Sequence, residues 1–347
     1  MLIRENVPLA PMTTLGVGGG ARYFTAARRV EEVSEAVAYA GNKNLPLFVL
    51  GGGSNLVVSD RGWPGLVLRI AITGIKRRSG SEIFEVGAGE EWDDFVAFAV
   101  GHNCAGVECL SGIPGSTGGT PIQNVGAYGQ EVAETIDTVH VLDTRDHQIR
   151  QLSKGECRFT YRTSLFNSGE RGRFIVLRVD FALQQGGEPR LAYSDLKRYF
   201  DGGRERATLG ATREAVRQIR ASKGMLITAG AEDSASAGSF FKNPMLSHNE
   251  YQSVHQLAQE RGLQVPHFPA LDSYLKLSAA WLVETSGFHK GYSRGRVGIS
   301  RRHALAIVNR GGATAAEVVS LKDEIQRSVS KTWGIELQPE PVFVGFA

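Results

Sequence analysis

Apolar residues recur along the first third of the chain with periods that alternate between helical and extended spacing. An amphipathic pattern over residues 30–43 predicts a helix, and the apolar run 45–50 that follows predicts a buried strand. Shorter apolar runs predict strands at 56–58 and 66–68. This alternation indicates a mixed α+β unit.

The middle of the chain has the same mixed character. Its pattern predicts a helix near 92–102, strands at 135–143 and 174–183, and a helix over 212–222. Residues 187–203 lie between these elements as a polar insertion. The middle section therefore predicts a second α+β unit.

The last third contains further helical and extended patterns. We predict helices near 249–262 and 278–286, a strand at 304–309, and a long helix that begins after Thr314. Thr314 and Glu317 have the spacing of a capping box at the start of that helix.

At 347 residues the chain is too long for one small core. We predict three domains, at 1–72, 73–223 and 224–334, with the tail 335–347 returning to the active site. The boundary between the second and third falls where the helix 212–222 ends.

Charge and cysteine usage narrow the class of protein. A net charge of +3, dispersed along the chain, does not favour nucleic acid as a partner. With no apolar run long enough to span a bilayer and no signal-like N-terminus, we expect a cytoplasmic protein without membrane insertion. Cys104, Cys109 and Cys157 lack metal-ligand spacing and are expected to be buried, inert thiols, so no metal site is predicted.

Two glycine-rich segments stand out as ligand-binding backbone. Residues 111–131 contain six glycines and two prolines, and a triple glycine at 51–53 follows the predicted strand 45–50. Glycine permits positive φ and close approach, so such loops can bind anions through main-chain N–H groups. An ordinary turn is the alternative for the triple glycine. Residues 16–21 match G-x-G-x-x-A, but no strand precedes them, which argues against a Rossmann site.

Several motifs occur in one order along the chain. They are the two glycine loops, Tyr161-Arg162-Thr163-Ser164-Leu165-Phe166, Ala237-Gly238-Ser239-Phe240-Phe241-Lys242-Asn243-Pro244 and the terminal Pro339-Glu340. From about Met12 to the C-terminus, the chain resembles the UDP-N-acetylenolpyruvoylglucosamine reductase (MurB) family. The resemblance implies an α+β, FAD-binding fold of the vanillyl-alcohol oxidase type, made of two α+β subdomains, plus a C-terminal α+β substrate domain.

The resemblance also implies which residues hold FAD, bound non-covalently. They are Gly51, Gly52, Gly53, Ser54 and Asn55 at the pyrophosphate, with Ile113, Pro114, Gly115, Ser116, Gly118, Gln123, Asn124, Gly126 and Tyr128 along the second loop.

The implied reaction reduces an enolpyruvyl ether to a lactyl ether, with NADPH as co-substrate. Arg162 and Glu340 would bind the substrate carboxylate and stabilise the enolate that forms as hydride arrives. Ser239 would donate the proton to the neighbouring carbon, with Lys242 favouring the alkoxide left behind. By composition alone, Ser239 is more typical of a helix cap or turn.

A UDP-sugar is the implied substrate. By resemblance its ligands are Tyr161, Tyr193, Lys223, Asn243, Lys290 and His303. Tyr193, in the polar insertion, resembles the tyrosine of a subtype with an extra substrate-covering loop. Taken singly, the lysines are more typical of solvated charges, and His303 of a core histidine.

Two other functions compete with this interpretation. A flavin oxidase would share the FAD loops but has no need of Arg162, Ser239 and Glu340 together. A flavin- or nucleotide-binding module without catalysis would keep only the glycine loops. We take a monomer as the default, and expect NADPH and substrate to use one pocket in turn.

Overall fold

The computed structural model describes residues 1–201, 207–228, 230, 233–269 and 274–346. By contacts along the chain, the protein divides into two compact units. Unit 1 comprises 1–7, 21–53 and 63–222, and unit 2 comprises 8–20, 54–62 and 223–347. Two segments that the sequence analysis assigned to the first domain, 8–20 and 54–62, thus belong to unit 2. The division into three domains remains a prediction.

Unit 1 contains four helices and most of the strands of the described chain. Its elements are β1 (Arg4–Pro8), β2 (Gly20–Ala27), α1 (Val30–Asn42), β3 (Leu47–Leu50), β5 (Trp63–Ile70), β6 (Ile75–Arg77), β7 (Ile83–Gly87), α2 (Trp92–Gly101), β8 (Cys104–Ala105), β9 (Gly126–Ala127), β10 (Gln130–Glu131), β11 (Ile136–Asp143), β12 (Ile149–Ser153), β13 (Phe174–Ala182), β14 (Gln184–Gln185), α3 (Ser194–Asp201) and α4 (Leu209–Ser222).

Two larger sheets share one hydrophobic core in unit 1. The first has the strand order β1-β2-β5-β3, in which β5 pairs in parallel with β2 and β3. The second is antiparallel, in the order β12-β11-β13-β7-β6. Helices α1 and α2 bury apolar faces in the same core, where the rings of Phe95 and Phe181 lie 4.8 Å apart. This core supports the loops that follow β3 and α2.

Unit 2 has shorter strands and three helices. Its elements are β4 (Leu56–Val58), β15 (Met245–Leu246), α5 (His248–Glu260), β16 (His267–Pro269), β17 (Leu275–Leu277), α6 (Ala279–Thr285), β18 (Ser293–Arg294), β19 (Val297–Ile299), β20 (Ile307–Asn309), α7 (Ala315–Trp333) and β21 (Val342–Val344).

The chain's C-terminal segment closes unit 2 by strand pairing. β21 pairs in parallel with β4, and Phe241 pairs with Pro339 across an antiparallel bridge. α7 contributes Leu321, Ile325 and Trp333 to a core that also contains residues of α5 and α6. The tail is therefore an integral part of this unit.

Most of the predicted helices and strands are confirmed. The capping box at α7 is present: Glu317 N–H donates to Thr314 Oγ1 at 3.1 Å, and Thr314 N–H donates to the Glu317 carboxylate at 2.7 Å. The strand predicted at 304–309 was wrong in its first half, because it begins only at Ile307 and 303–306 form a turn closed by the Ala306 N–H to His303 C=O bond. The polar insertion carries α3, which the sequence did not predict.

Among the described residues, no helix is both long and apolar enough to cross a membrane.

Candidate functional site

The two glycine loops meet backbone to backbone within unit 1. Gly52 N–H donates to Ser116 Oγ at 3.1 Å. A Cβ placed on Gly52 would lie 2.5 Å from Gly115 Cα, and one on Gly51 would lie 2.8 Å from Ser116 Oγ. The contact at Gly52 is with backbone atoms and excludes any side chain, so glycine is required at this position for the two loops to approach. Gly53 continues with a positive φ of 70°.

The second loop is anchored on the residues around the start of α2. Gly115 C=O, at a φ of 120°, accepts from Trp92 N–H at 2.9 Å. Gly118 N–H donates to Ala88 C=O at 2.8 Å, and a Cβ there would lie 2.6 Å from Ala88 Cβ. Ile113 and Pro114 directly precede the first of these anchors and are half-buried. The loop thus has a fixed path with partly exposed backbone.

Hydrogen bonds of its side chain fix the position of Asn124. It is 1 % exposed and has a φ of 46°; its Nδ2 donates to Glu131 Oε2 at 2.8 Å and to Thr160 C=O at 3.0 Å. Its Oδ1 accepts from Ala133 N–H at 3.1 Å. These bonds join the second loop to the turn at 160–163, while the preceding Gln123 is half-buried.

Arg162 projects from that turn with strained backbone. Thr160 and Thr163 exchange hydrogen bonds of 2.9 and 3.1 Å, and Arg162 between them has a φ of 54°. Its Nη2 donates to Gly126 C=O at 2.8 Å, and its guanidinium lies 5.5 Å from the Tyr161 ring centroid. Non-glycine residues at positive φ carry a cost that functional sites often bear.

Tyr128 connects the second loop to the polar insertion. Its ring is 8 % exposed and meets the ring of Tyr193 edge to face at 5.3 Å. Tyr193 itself is 40 % exposed and immediately precedes α3. Both tyrosines therefore line one local surface of unit 1, with Tyr128 beneath Tyr193.

In unit 2, the segment carrying Ser239 pairs with the segment carrying Glu340. Glu340 N–H donates to Phe240 C=O at 2.9 Å, and Lys242 N–H donates to Gln338 C=O at 2.9 Å. Asn55 Nδ2 donates to Glu340 C=O at 3.2 Å, and Asn55 C=O accepts from Val342 N–H at 2.9 Å. The structure thus brings Asn55, Ser239 and Glu340 together.

The Ser239 side chain is half-buried, and its hydroxyl forms no hydrogen bond within the described chain. It follows Gly238, whose φ of 73° turns the chain into the paired segment. Ser54, next to Asn55, accepts a hydrogen bond from Thr14 through its C=O at 3.2 Å. The hydrogen bonds of the adjacent Phe240 fix the backbone next to Ser239.

The predicted substrate-binding residues of unit 2 have varied surroundings. Asn243 Oδ1 accepts from Ala279 N–H at 2.9 Å and so caps the start of α6. His303 Nδ1 accepts from Leu305 N–H at 3.1 Å within the 303–306 turn. Lys223 directly follows α4 and is half-buried, whereas Lys290 is exposed.

Gly224 and Gly291, next to the two lysines, lie close to residues 300–302, which precede His303. Gly291 N–H donates to Ser300 C=O at 3.2 Å, and a Cβ on Gly224 would lie 3.3 Å from the Arg302 side chain. The basic loop 291–296 is structural: Arg294 pairs with Glu324, and Arg296 Nη1 donates to Gly312 C=O at 2.9 Å.

The three cysteines are free and buried, as predicted. Burial raises the pKa of Cys157 to about 12 and that of Cys109 further still. Thiols with such raised pKa values are poor nucleophiles at neutral pH.

Sequence reasoning missed a charged cluster that contacts the second loop. Asp93 accepts from Gly112 N–H at 2.6 Å, and Arg220 Nε donates to Gly112 C=O at 3.1 Å. The available signal was the spacing of Arg213, Arg217 and Arg220, which places three arginines on one face of α4.

The protein mixes helices and strands, and both glycine loops lie in the part of the chain that matches an FAD binding domain, which confirms the predicted α+β, FAD-binding class. Residues 21–153 match the model of an FAD binding domain, and residues 231–344 match the C-terminal domain of UDP-N-acetylenolpyruvoylglucosamine reductase.

Relatives extend the match over nearly the whole chain. A UDP-N-acetylenolpyruvoylglucosamine reductase of Thermobifida fusca is 44 % identical, covering 98 % of each chain, and one of Mycobacterium leprae is 42 % identical, covering 99 % of this chain and 95 % of its own. The crystal structure of the enzyme (MurB) from Thermus caldophilus has 28 % identity and a TM-score of 0.68, covering 99 % of this chain and all of that one. The chain belongs to the UDP-N-acetylenolpyruvoylglucosamine reductase family.

Proposed function

We propose that this chain reduces UDP-N-acetylglucosamine enolpyruvate to UDP-N-acetylmuramate, using FAD as cofactor and NADPH as reductant. The observation that carries the proposal is the pairing of the Ser239 segment with the Glu340 segment in a chain that belongs to this family. The reaction is a step of peptidoglycan precursor synthesis.

The residues of the glycine loops fit FAD. A pyrophosphate binds to main-chain N–H groups, and the glycines at 51, 52 and 118 allow the loops that carry such groups to pack against protein atoms 2.5–2.8 Å from any added Cβ. When bound, FAD supplies the hydride that reaches the substrate. Residues 51–55 would hold the pyrophosphate, while 113–118, Gln123, Asn124, Gly126 and Tyr128 would follow the cofactor. The structural bonds of Asn124 favour contact through its backbone.

Arg162 and Glu340 would make the enol ether reactive. Charge develops on the substrate carboxylate as hydride arrives, and a guanidinium hydrogen-bonds that carboxylate in a planar fork. The bond from Arg162 to Gly126 fixes the guanidinium in advance. A protonated Glu340 would donate a further hydrogen bond to the same developing charge, which lowers the barrier to hydride addition.

Ser239 would donate the proton that completes the reduction. Its hydroxyl bond breaks as the new C–H bond forms on the carbon next to the carboxylate, and the alkoxide is later reprotonated by solvent. Lys242, three residues along, would stabilise the alkoxide. The backbone pairing of 240 with 340 limits the movement of the serine, which supports a positional role.

The remaining contacts would hold the UDP-sugar. Tyr161, Tyr193, Lys223, Asn243, Lys290 and His303 are the proposed ligands, with the lysines directed at the diphosphate. Tyr193 belongs to the extra segment that carries α3, which supports the subtype with a substrate-covering insertion. Because Asn243 Oδ1 already caps α6, its Nδ2 would be the atom that contacts the substrate.

Substitution Ser239→Ala tests this mechanism. We expect FAD content and anaerobic reduction by NADPH to match the wild type, while reoxidation of the flavin by substrate slows at least about a hundredfold. Ser253→Ala, on the exposed face of α5, is the matched control and should leave both half-reactions unchanged. Unchanged substrate reduction in Ser239→Ala would refute the assigned proton donor.

A further inference from the structure

Both main-chain polar groups of Gly112 are hydrogen-bonded by charged side chains. Its N–H donates to Asp93 Oδ1 at 2.6 Å, and its C=O accepts from Arg220 Nε at 3.1 Å. Gly112 has a φ of 70° and directly precedes the flavin loop 113–118. The two peptide groups that flank Gly112 are thus each fixed by one bond, and their orientation sets the direction in which the loop leaves the core.

Asp93 is itself gripped by two arginines of α4. Arg213 binds it in a bidentate manner, at 2.6 and 2.9 Å, and Arg217 Nη1 adds a contact of 2.6 Å. Burial acts to raise the pKa of Asp93, but the bonds from Arg213 and from Gly112 N–H outweigh it and hold the pKa below its ordinary value. The carboxylate is therefore ionised at neutral pH.

Arg220 binds the C=O of Gly112 from the protein interior. Its side chain is almost fully enclosed, with 5 % of its surface exposed, and it also hydrogen-bonds Tyr128. Arg213, Arg217 and Arg220 follow one another at helical spacing, so a single face of α4 supplies all three guanidinium groups. Through Gly112 and Tyr128, this face contacts the second glycine loop at two points.

We propose that Asp93 and Arg213 are positioning residues that hold the flavin loop in its FAD-binding conformation. The cluster does more than join α2 to α4, because Asp93 also accepts a hydrogen bond from the main chain of the loop at Gly112. Short, charge-assisted hydrogen bonds with bidentate geometry fix orientation more tightly than neutral ones. The inference rests on the proposed role of residues 113–118 in holding FAD.

The test compares Asp93→Asn with Asp94→Asn, its exposed neighbour in α2. FAD is removed from each full-length protein, and the dissociation constant for added FAD is measured by flavin fluorescence quenching. Unfolding of the apoprotein and the visible absorption band of the bound flavin are recorded in parallel. We expect Asp93→Asn to raise the FAD dissociation constant at least about tenfold, equivalent to about 1.4 kcal/mol.

Arg213→Lys separates positioning from simple charge. It keeps the positive charge but loses the bidentate grip, so we expect an intermediate loss of FAD affinity and a shifted flavin band. Asp94→Asn should stay within about twofold of the wild type. If Asp93→Asn does not fold, Arg213→Lys alone decides the question.

The proposal is overturned if Asp93→Asn, or Arg213→Lys in its place, binds FAD as tightly as the wild type while the apoprotein melts earlier. That result would mean that the cluster only joins α2 to α4 and stabilises the fold. Tighter FAD binding would also overturn the proposal. It would mean that Asp93 only neutralises arginines whose positive charge would otherwise favour the binding of FAD. Failure of the wild-type apoprotein to bind FAD would instead refute the proposed function, and is a separate outcome.

Discussion

The contact between the two glycine loops leads to a sharp prediction for Gly52→Ala. The new Cβ would lie 2.5 Å from Gly115 Cα and 2.6 Å from Ser116 N, and both neighbours are backbone atoms that a rotamer change cannot move. One loop must therefore shift. Overpacking of this kind costs about 1–3 kcal/mol.

The shift falls on the loops that we propose to hold FAD. If about 2 kcal/mol of the cost appears in binding, the FAD dissociation constant rises about 30-fold. Titration of the apoprotein with FAD, followed by flavin fluorescence, measures this directly. The thermal midpoint of the apoprotein shows how much of the cost appears in folding instead.

Gly119→Ala is the matched control for this prediction. Gly119 lies in the same loop and is exposed, and within the described structure a Cβ there meets no heavy atom within 4 Å. We expect its FAD affinity to remain within about twofold of the wild type. The reasoning is refuted if Gly52→Ala binds FAD like the wild type, or if Gly119→Ala loses affinity equally.

Three further predictions concern the active site, a helix cap and pH. Glu340→Gln should keep FAD and its reduction by NADPH but slow substrate reduction at least about tenfold, since the amide is a weaker donor; equal rates in stopped-flow reoxidation would contradict this. Thr314→Ala should destabilise the protein by about 1 kcal/mol through loss of the α7 cap, measured by urea unfolding with intrinsic tryptophan fluorescence; an unchanged midpoint would contradict the cap's role. Burial acts to raise the pKa of Asp180, but hydrogen bonds from His140 and Arg178 outweigh burial and lower the pKa. The ionised Asp180 side chain should therefore stabilise the fold above about pH 4, and this stabilisation should be lost as the pH falls further. The difference in unfolding free energy between wild type and Asp180→Asn should therefore shrink on acidification, and a constant difference would contradict the assignment.

Local sequence patterns predicted the helices and strands that form through interactions between residues close together in the chain. α1 and α7 have strong helical periods, and α7 also has its capping box, so both are found where the pattern indicated. The 303–306 turn was missed because it depends on hydrogen bonds within the turn and to Ser300. β1 is largely exposed and is recognised only by its partner strand, so no apolar pattern marked it.

The candidate site likewise has features that a local sequence pattern indicates and features that arise only in the folded chain. The glycine content of the two loops indicated backbone that is closely approached, and its contact with a ligand stays a prediction. The Asp93 cluster could not be predicted, since Asp93 and Arg213 are 120 residues apart and meet only in the folded chain. The sequence motif that contains Asn243 likewise did not indicate that its side chain accepts a hydrogen bond from the first N–H of α6.

The most direct test of the central claim follows the flavin through both half-reactions in the absence of oxygen. The purified holoenzyme is reduced with NADPH, UDP-N-acetylglucosamine enolpyruvate is added, and the return of the flavin absorbance is recorded. The account predicts bleaching by NADPH and then stoichiometric reoxidation, with UDP-N-acetylmuramate as product. A flavin that is reoxidised only when oxygen is admitted would contradict it and favour an oxidase.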